Sequence, residues 1–276
     1  MQPRLSGQRI ALFEARLAAE ICDLVRRSGG VPVCAPAVRE RRRPAAEEIS
    51  ALLDEVASEA SPVFVFSTGV GATALFDEAR SLGRGDELRQ AISRGLSICR
   101  GPKPVAALHK EGIAASVKAR APYTTAEFIE ALFEAALDSR MVALVHYGER
   151  NEALVGALLS RGARLRELTL YQWELPEDTA PLVRIVEELL EGKFAAAAFT
   201  TQIQARNLFV IADRMGARER LLAALRSGVV VAAVGPTCAR VLAELGIPAE
   251  VVPETPKMGA MLTTLFARLE RGKAPP

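Results

Sequence analysis

Short, mostly apolar runs alternate along the chain with longer segments whose apolar residues recur every three or four positions. Pro62–Ser67 and Met141–His146 are runs of the first kind, typical of strands that are covered on both faces. Leu17, Ile21 and Val25 show the helical spacing of the second kind. The alternation predicts an α/β fold with parallel sheets between layers of helices. The other strands predicted in this way are Arg9–Phe13, Val31–Ala35, Leu96–Arg100, Ala114–Ala119, Ala195–Thr200, Val229–Val234 and Ala249–Val252.

Signals at their ends mark several of the predicted helices. Gly29-Gly30 ends the first helix, and a second helix is predicted over Ala45–Ala57. Thr124-Thr125-Ala126-Glu127 has the form of a capping box, in which two side chains satisfy the first backbone amides of a helix. We expect this sequence to open a helix that continues through Leu137.

The two halves of the chain repeat each other. Phe66–Phe76 matches Phe199–Phe209, 133 positions later, in both phenylalanines, a threonine, an alanine and a leucine. Gly101-Pro102 matches Gly235-Pro236 at an offset one residue larger. Each half is therefore predicted to contain the same series of strands and helices in the same order. The opening strands of the two copies contain Ala11-Leu12-Phe13 and Ala143-Leu144-Val145.

An extended segment joins the two copies. Residues 168–175 alternate apolar and polar side chains up to Pro176, a pattern that favours a strand. Its predicted partner is the extended run Val33–Glu40, and pairing of the two would form a two-stranded hinge between two lobes. The predicted bounds are 1–37 plus 175–276 for the first lobe, 44–168 for the second, and 38–43 and 169–174 for the hinge strands.

Composition excludes several classes of protein. The 276 residues are half apolar, enough for two cores, and the formal charge of +2 with no aromatic residues among the basic ones argues against nucleic acid. The four cysteines show no CxxC spacing and the start of the chain lacks an export signal, so we expect a cytoplasmic, reduced protein. No apolar run approaches the length of a membrane helix. With two histidines and no zinc spacing, neither a metal nor a cofactor is expected.

The candidate site residues follow from the position of the strands, because parallel sheets bind ligands at the carboxyl ends of their strands. The hydroxyl pairs Ser67-Thr68 and Thr200-Thr201 lie at two such ends, where they either cap a helix or bind carboxylates. Gly101-Pro102-Lys103 lies at a third strand end, and Gly235-Pro236-Thr237 is either an ordinary strand-to-helix turn or an amide-lined anion site. Basic residues beside strand ends would favour a polyanion. They are Arg100, Lys103, Arg150 and Arg206.

The motifs give little support to other kinds of chemistry. Gly69-Val70-Gly71 lacks the third glycine and the distant acidic residue of a dinucleotide site. The residues provide no Ser-His-Asp, Cys-His or paired-carboxylate arrangement. An enzyme with this sequence would therefore act mainly by positioning a reactive substrate, together with one mild acid.

Four segments, taken in their order and spacing, carry a resemblance to a known family. They are Val234–Ala239, Leu245–Pro248, the strand end Phe66–Thr68 and the hinge segment Leu170–Gln172. Over about Gln8 to Leu269 the chain resembles uroporphyrinogen-III synthase. The resemblance implies two flavodoxin-like lobes with parallel sheets, joined by a two-stranded ladder, with the active site between the lobes. It also implies that the N-terminal strand, helix and strand fold with the C-terminal half.

The resemblance further implies a reaction and its partners. The family closes hydroxymethylbilane, a linear tetrapyrrole with eight carboxylates, to uroporphyrinogen III, with inversion of the last pyrrole ring and loss of water. No cofactor takes part, and the substrate supplies most of the reactivity, which suits a site rich in anion-binding groups. The preceding pathway enzyme is a further candidate partner. A monomer that binds neither nucleic acid nor membrane is expected.

The family's site residues carry over position by position. Its tyrosine on the returning hinge strand matches Tyr171, which would act as the acid for the leaving hydroxyl. The alternative is a tyrosine that only packs between hinge and lobe. Pro104 departs from the pattern, because some members have a hydroxyl residue there; Lys103 is a candidate replacement. The implied substrate-binding residues are Ser67, Thr68, Gly101, Lys103, Arg150, Thr200, Thr201, Gly235 and Thr237.

Two alternative functions stay open at this point. A regulatory protein of the same two-lobed architecture would bind a tetrapyrrole without turning it over. A two-lobed binding protein would instead hold another small anion and perform no chemistry.

Overall fold

A computed structural model of the protein describes residues 5–146 and 148–272. The strands are β1 (Arg9–Leu12), β2 (Val31–Cys34), β3 (Arg39–Arg42), β4 (Val63–Phe66), β5 (Leu96–Cys99), β6 (Val117–Lys118), β7 (Met141–Val145), β8 (Arg164–Leu168), β9 (Tyr171–Glu174), β10 (Ala196–Phe199) and β11 (Val230–Ala233). The helices are α1 (Ala18–Arg27), α2 (Ala46–Ala57), α3 (Gly69–Ser81), α4 (Gly85–Arg94), α5 (Pro102–Lys110), α6 (Thr125–Leu132), α7 (Glu152–Leu159), α8 (Ala180–Leu190), α9 (Gln202–Arg214), α10 (Arg218–Ser227), α11 (Pro236–Glu244) and α12 (Met258–Arg271).

The chain forms two compact units. Unit 1 contains the chain up to Arg39 and from Glu174 onward, and unit 2 contains Glu40–Trp173. Both boundaries fall inside the segments predicted as hinge strands, 38–43 and 169–174. In this region β3 and β9 form an antiparallel two-stranded sheet.

Unit 1 is built on a four-stranded parallel sheet with the strand order β11-β10-β1-β2. Apolar residues of α8, α9, α10 and α11 cover one face, and those of α1 and α12 cover the other. The register pairs Ile10 with Ala196, so the N-terminal strand lies beside a strand of the C-terminal half. This arrangement confirms the chain crossing that the resemblance implied.

Unit 2 is built on a five-stranded parallel sheet with the strand order β6-β5-β4-β7-β8. Residues of α2, α3, α4 and α5 pack on one face, and residues of α6 and α7 pack on the other. The sheet interior is continuously apolar because both faces are covered. All residues of β4 and β7 are buried.

The internal repeat is confirmed by the helices. α3 (Gly69–Ser81) and α9 (Gln202–Arg214) have the same length and are offset by 133 residues, and α4 and α10 share that offset. β5 and β11, and then α5 and α11, are offset by one residue more. The extra residue therefore enters between α10 and β11.

Several predicted elements need correction. Val31–Cys34 pairs with β1 in the sheet of unit 1, where Pro32 lies on an edge strand. The hinge partner is β3, which lies within the predicted segment 38–43 and shares only Arg39 and Glu40 with the run Val33–Glu40. Ala249–Val252 is not a strand; Val251 makes an isolated bridge to Ala232, and Pro248 and Pro253, which lack backbone N–H groups, flank the segment.

Two elements end earlier than predicted, and one strand was not predicted at all. The helix from Thr124 stops at Leu132 and not at Leu137; beyond its end, the carbonyls of Ala135 and Ala136 accept hydrogen bonds from the guanidinium groups of Arg161 and Arg140. The strand predicted over Ala114–Ala119 is reduced to Val117–Lys118. The edge strand β8 was missed because its sequence, RLREL, is largely charged.

No helix in residues 5–146 and 148–272 is long and apolar enough to cross a membrane.

Candidate active site

In unit 2 the predicted site residues lie at neighbouring strand ends. β5, β4 and β7 are adjacent in the sheet, so the segments that follow them start side by side at one edge. Ser67 follows β4, and its backbone amide donates to the carbonyl of Val145 on β7 at 3.1 Å. Ser67 and Thr68 are both buried, at 4% and 7% exposure.

Thr68 is the N-cap of α3. It has extended backbone angles, and its hydroxyl accepts a hydrogen bond from the amide of Gly71 at 3.0 Å. The same oxygen lies 2.8 Å from the hydroxyl oxygen of Tyr171, and either group can donate across this contact. The capping alternative for Thr68 is thus confirmed. The amides of the first two helical residues, Gly69 and Val70, have no acceptor within the helix and still point toward the strand end.

Tyr171 is buried, with 0% exposure. Its ring meets the ring of Trp173 edge to face, with the centroids 5.4 Å apart. Gly148 packs against both rings at a positive φ of 69°, and a methyl group there would lie 2.5 Å from the indole. These contacts fix the phenol so that its oxygen lies at the carboxyl end of β4, beside the start of α3.

The starts of α3 and α5 approach each other closely. A Cβ on Gly69 would lie 2.7 Å from the carbonyl oxygen of Lys103, so only glycine fits between the two helix starts. Gly101 is the N-cap of α5 with no side-chain cap, and Pro102 and Pro104 remove two amides from its first turn. The side chain of Lys103 in this first turn is exposed and cationic.

Arg150 is held by internal carboxylates. Its Nε and a terminal nitrogen bind both oxygens of Glu167, at 2.8 and 2.9 Å, and it also pairs with Glu152. Nε2 of the buried His146 lies 2.8 Å from the same Glu167 carboxylate. The hydrogen bond from Arg150, followed by that from His146, lowers the pKa of Glu167 below 4.5 despite its partial burial. To bind a substrate carboxylate as predicted, Arg150 would have to give up its hydrogen bonds to Glu167.

In unit 1 the equivalent strand end has a complete capping box. Thr201 is the N-cap of α9, with backbone angles within a few degrees of those of Thr68. Its hydroxyl accepts from the amide of Gln204 at 3.4 Å, and the Gln204 side-chain oxygen accepts from the amide of Thr201 at 3.3 Å and from that of Thr200 at 2.8 Å. Capping is therefore confirmed for Thr201 as well.

The hydroxyl of Thr200 donates to the carboxylate of Glu14. Glu14 follows β1, the strand next to β10, and its other oxygen accepts from the amides of Arg16 and Leu17 at 3.1 and 3.3 Å. Thr200 also accepts from the side-chain nitrogen of Gln204 at 2.8 Å. The predicted carboxylate donor thus already binds a carboxylate of its own unit.

The third strand end of unit 1 follows β11. Gly235 is the N-cap of α11 with no side-chain cap, and a methyl group there would lie 2.8 Å from the ring of Pro256. Pro236 occupies the first helical position, so the exposed Thr237 presents both its hydroxyl and its amide at the helix start. This geometry is compatible with both predicted alternatives, the ordinary strand-to-helix turn and the amide-lined anion site.

Two of the buried thiols, those of Cys99 and Cys238, are poor nucleophiles. Burial raises the pKa of Cys99 and of Cys238 to about 12, and the Cys238 thiol contacts the carbonyl of Phe199. Within the described parts of the chain, no group of three or more histidine, cysteine, aspartate or glutamate side chains could hold a metal ion.

Sequence reasoning missed Glu14 and Glu167. Glu14 lies two residues after the end of β1, so the rule that selected the other candidates applies to it as well. It was not selected because hydroxyl, glycine and basic residues were favoured as carboxylate-binding groups. Glu167 lies within the charged strand β8, which was not predicted either.

Comparisons with known proteins fit this architecture. The family described as Uroporphyrinogen-III synthase HemD matches residues 19–263. The uncharacterized protein YjjA of Bacillus subtilis strain 168 is 32% identical over 95% of this chain and 96% of its own.

The crystal structure of a mutant uroporphyrinogen III synthase from the extremely thermophilic bacterium Thermus thermophilus has a TM-score of 0.74 at 28% identity and covers 97% of this chain and 100% of that one. Uroporphyrinogen-III synthetase from Helicobacter pylori 26695, at 15% identity and a TM-score of 0.56 over 95% of this chain and 99% of that one, shows the fold alone. The chain therefore belongs to the uroporphyrinogen-III synthase family.

Proposed function

We propose that this protein cyclises hydroxymethylbilane to uroporphyrinogen III. Family membership supports the proposal, and one structural observation carries it. In both units, helix starts with unsatisfied amides and neighbouring hydroxyls lie at the carboxyl ends of the parallel strands. Such groups bind carboxylates, and the substrate carries eight of them.

The substrate's own groups perform most of the chemistry. Loss of the terminal hydroxyl, with a proton, as water leaves an electrophilic azafulvene. The substituted carbon of the last ring attacks it to form a spiro intermediate, which fragments and closes again with the ring inverted. A proton then leaves that ring, so the balance is one hydroxymethylbilane to one uroporphyrinogen III and one water. The protein must hold a single conformation of the chain, because spontaneous closure gives the uninverted isomer.

Tyr171 is proposed as the acid for the leaving hydroxyl. Support comes from its position, since its oxygen contacts Thr68 at the start of α3 and so lies where a substrate held by that helix start would react. The direct carboxylate donors are proposed to be Ser67, Lys103 and Thr237, with the amides that follow Thr68, Gly101 and Gly235. Arg150, Thr200 and Thr201 stay sequence-based predictions, because Arg150 and Thr200 already bind internal carboxylates and Thr201 caps the helix start beside Thr200.

No cofactor has a role in this scheme, which makes the enzyme a lyase that eliminates water. A cytoplasmic, monomeric protein that receives its labile substrate from the preceding pathway enzyme is part of the same proposal.

Isomer analysis tests the proposed function. Hydroxymethylbilane is generated in place by the preceding enzyme, the products are oxidised to porphyrins, and the two isomers are separated. We expect the inverted isomer to dominate and to increase with enzyme concentration. If only the uninverted isomer forms, at the spontaneous rate, the protein is a binding or regulatory member of the family, an outcome compatible with the complete burial of Tyr171.

A further inference from the structure

The carboxylate of Glu14 is saturated with hydrogen bonds from its own unit. One oxygen accepts from the backbone amides of Arg16 and Leu17, and the other accepts from the hydroxyl of Thr200 and the side-chain nitrogen of Gln204, the last at 3.4 Å. An ionised carboxylate has about four acceptor positions. The four donors come from the start of α1, the end of β10 and the first turn of α9, and they leave Glu14 no position for another donor.

Two backbone amides, a hydroxyl and a side-chain amide are the groups that would bind a ligand carboxylate. At this strand end they bind Glu14 instead. The tethered carboxylate has an effective concentration of about millimolar or more, well above that of a labile metabolite. A ligand carboxylate that approached Thr200 would also meet a like charge.

Comparison of the two internal repeats shows that the units carry different residues at the position of Glu14. Phe13 and Val145 are equivalent, since each is the last apolar residue beside the strand that ends at Phe199 or Phe66. The residue that follows is Glu14 in unit 1 and His146 in unit 2. In unit 1 the Glu14 carboxylate binds Thr200 across to the neighbouring strand end, whereas in unit 2 the His146 imidazole binds Glu167 on β8.

We propose that Glu14 is a specificity-determining residue that takes the place of a substrate carboxylate at the β10–α9 strand end. The substrate's carboxylates then bind unit 1 at the β11–α11 strand end, through Gly235 and Thr237, and Thr200 acts by holding Glu14. This proposal rests on the function proposed above, but its first test does not need turnover.

The first test removes the Glu14 carboxylate by mutation and supplies acetate, a small carboxylate, in solution. Thermal unfolding of the Glu14→Ala variant is followed in sodium acetate and in sodium chloride at equal ionic strength. We expect acetate to raise the Tm of Glu14→Ala by about 2–4 °C more than chloride does, and to have no such effect on the wild-type protein. The matched control is Glu14→Ala with Thr200→Ala, which lacks one of the four donors and should lose the acetate effect. Equal responses of Glu14→Ala to the two salts overturn the proposal.

The second test uses Glu14→Gln, a neutral side chain of nearly the same shape, and so does not depend on whether Glu14→Ala folds. Removal of the like charge should lower the KM for hydroxymethylbilane and the Kd for uroporphyrin III roughly two- to fivefold, without raising kcat. An unchanged KM and Kd would mean that Glu14 has only a structural role. If the wild-type protein forms no uroporphyrinogen III, the proposed function fails, while the acetate experiment still decides the role of Glu14.

Discussion

The hydroxyl oxygen of Tyr171 lies 2.8 Å from the hydroxyl oxygen of Thr68, the N-cap of α3. The Thr68 hydroxyl therefore both contacts the phenol and caps the helix, because the same oxygen accepts a hydrogen bond from the Gly71 amide. The candidate acid and a candidate anion-binding helix start are joined by one contact inside unit 2. A change in either side chain should affect both the orientation of the phenol and the first turn of the helix.

Tyr171→Phe should lower turnover strongly and stability slightly. Loss of an acid typically costs at least about 100-fold in rate, and loss of one buried hydrogen bond costs about 1 kcal/mol. The measurements are initial rates of uroporphyrinogen III formation and unfolding in denaturant. Unchanged turnover with reduced stability would show that Tyr171 only packs in the core.

Thr68→Val and Thr201→Val should separate capping from the contact with Tyr171. Each variant loses an N-cap hydroxyl, which costs about 1 kcal/mol, and Thr68→Val also loses its bond to the phenol, about 1 kcal/mol more. Denaturant unfolding should therefore show the larger loss for Thr68→Val. The serine variants keep the hydroxyl and serve as controls. Equal losses for the two valine variants would mean that the contact with Tyr171 contributes nothing to stability.

Gly69→Ala should disrupt the approach of α3 to α5. The added methyl group would lie 2.7 Å from the carbonyl oxygen of Lys103, and overpacking of this kind costs about 1–3 kcal/mol. Gly156→Ala in α7 is the matched control: nothing lies within 4 Å of its methyl group, so it should stabilise the protein by about 0.5–1 kcal/mol. Thermal unfolding of both variants gives the comparison. A Gly69→Ala variant as stable as Gly156→Ala would contradict the close approach.

Glu167 should make stability depend on pH in the acid range. Its pKa in the folded protein is lowered, first by the hydrogen bond from Arg150, so the folded protein favours the ionised carboxylate. The stabilisation is complete above the unfolded value of about 4.5 and is lost as the pH falls through the lower folded value. The free energy of unfolding measured between pH 6 and pH 3 should fall less steeply for Glu167→Gln. Identical slopes for the two proteins would contradict this role of Glu167.

The sequence predicted the parts of the structure that depend on local pattern. The offsets of 133 and 134 residues recur in the helix bounds, and the strand ends at Ser67 and Thr200 lie where continuous apolar runs stop. The edge strand β8 was missed because exposed edge positions carry charge and break the apolar pattern.

The hydrogen-bond partners of the site side chains could not be predicted from the sequence. Thr200 binds a carboxylate 186 positions away in the chain, and Arg150 binds Glu167 on the next strand of the sheet. Strand-end rules state where such groups lie but not which of them satisfy one another. That information depends on side-chain geometry, which enters only with the folded structure.

The pairing of β1 with β10 also sets an order for synthesis on the ribosome. Unit 2 is one continuous stretch of chain and can fold as soon as Trp173 has emerged. The first strand, helix and strand of unit 1 must wait, with their apolar faces unpaired, until β10 and α12 have been translated. A nascent chain halted before β10 would therefore contain one finished unit and an N-terminal segment that is a target for chaperones and proteases.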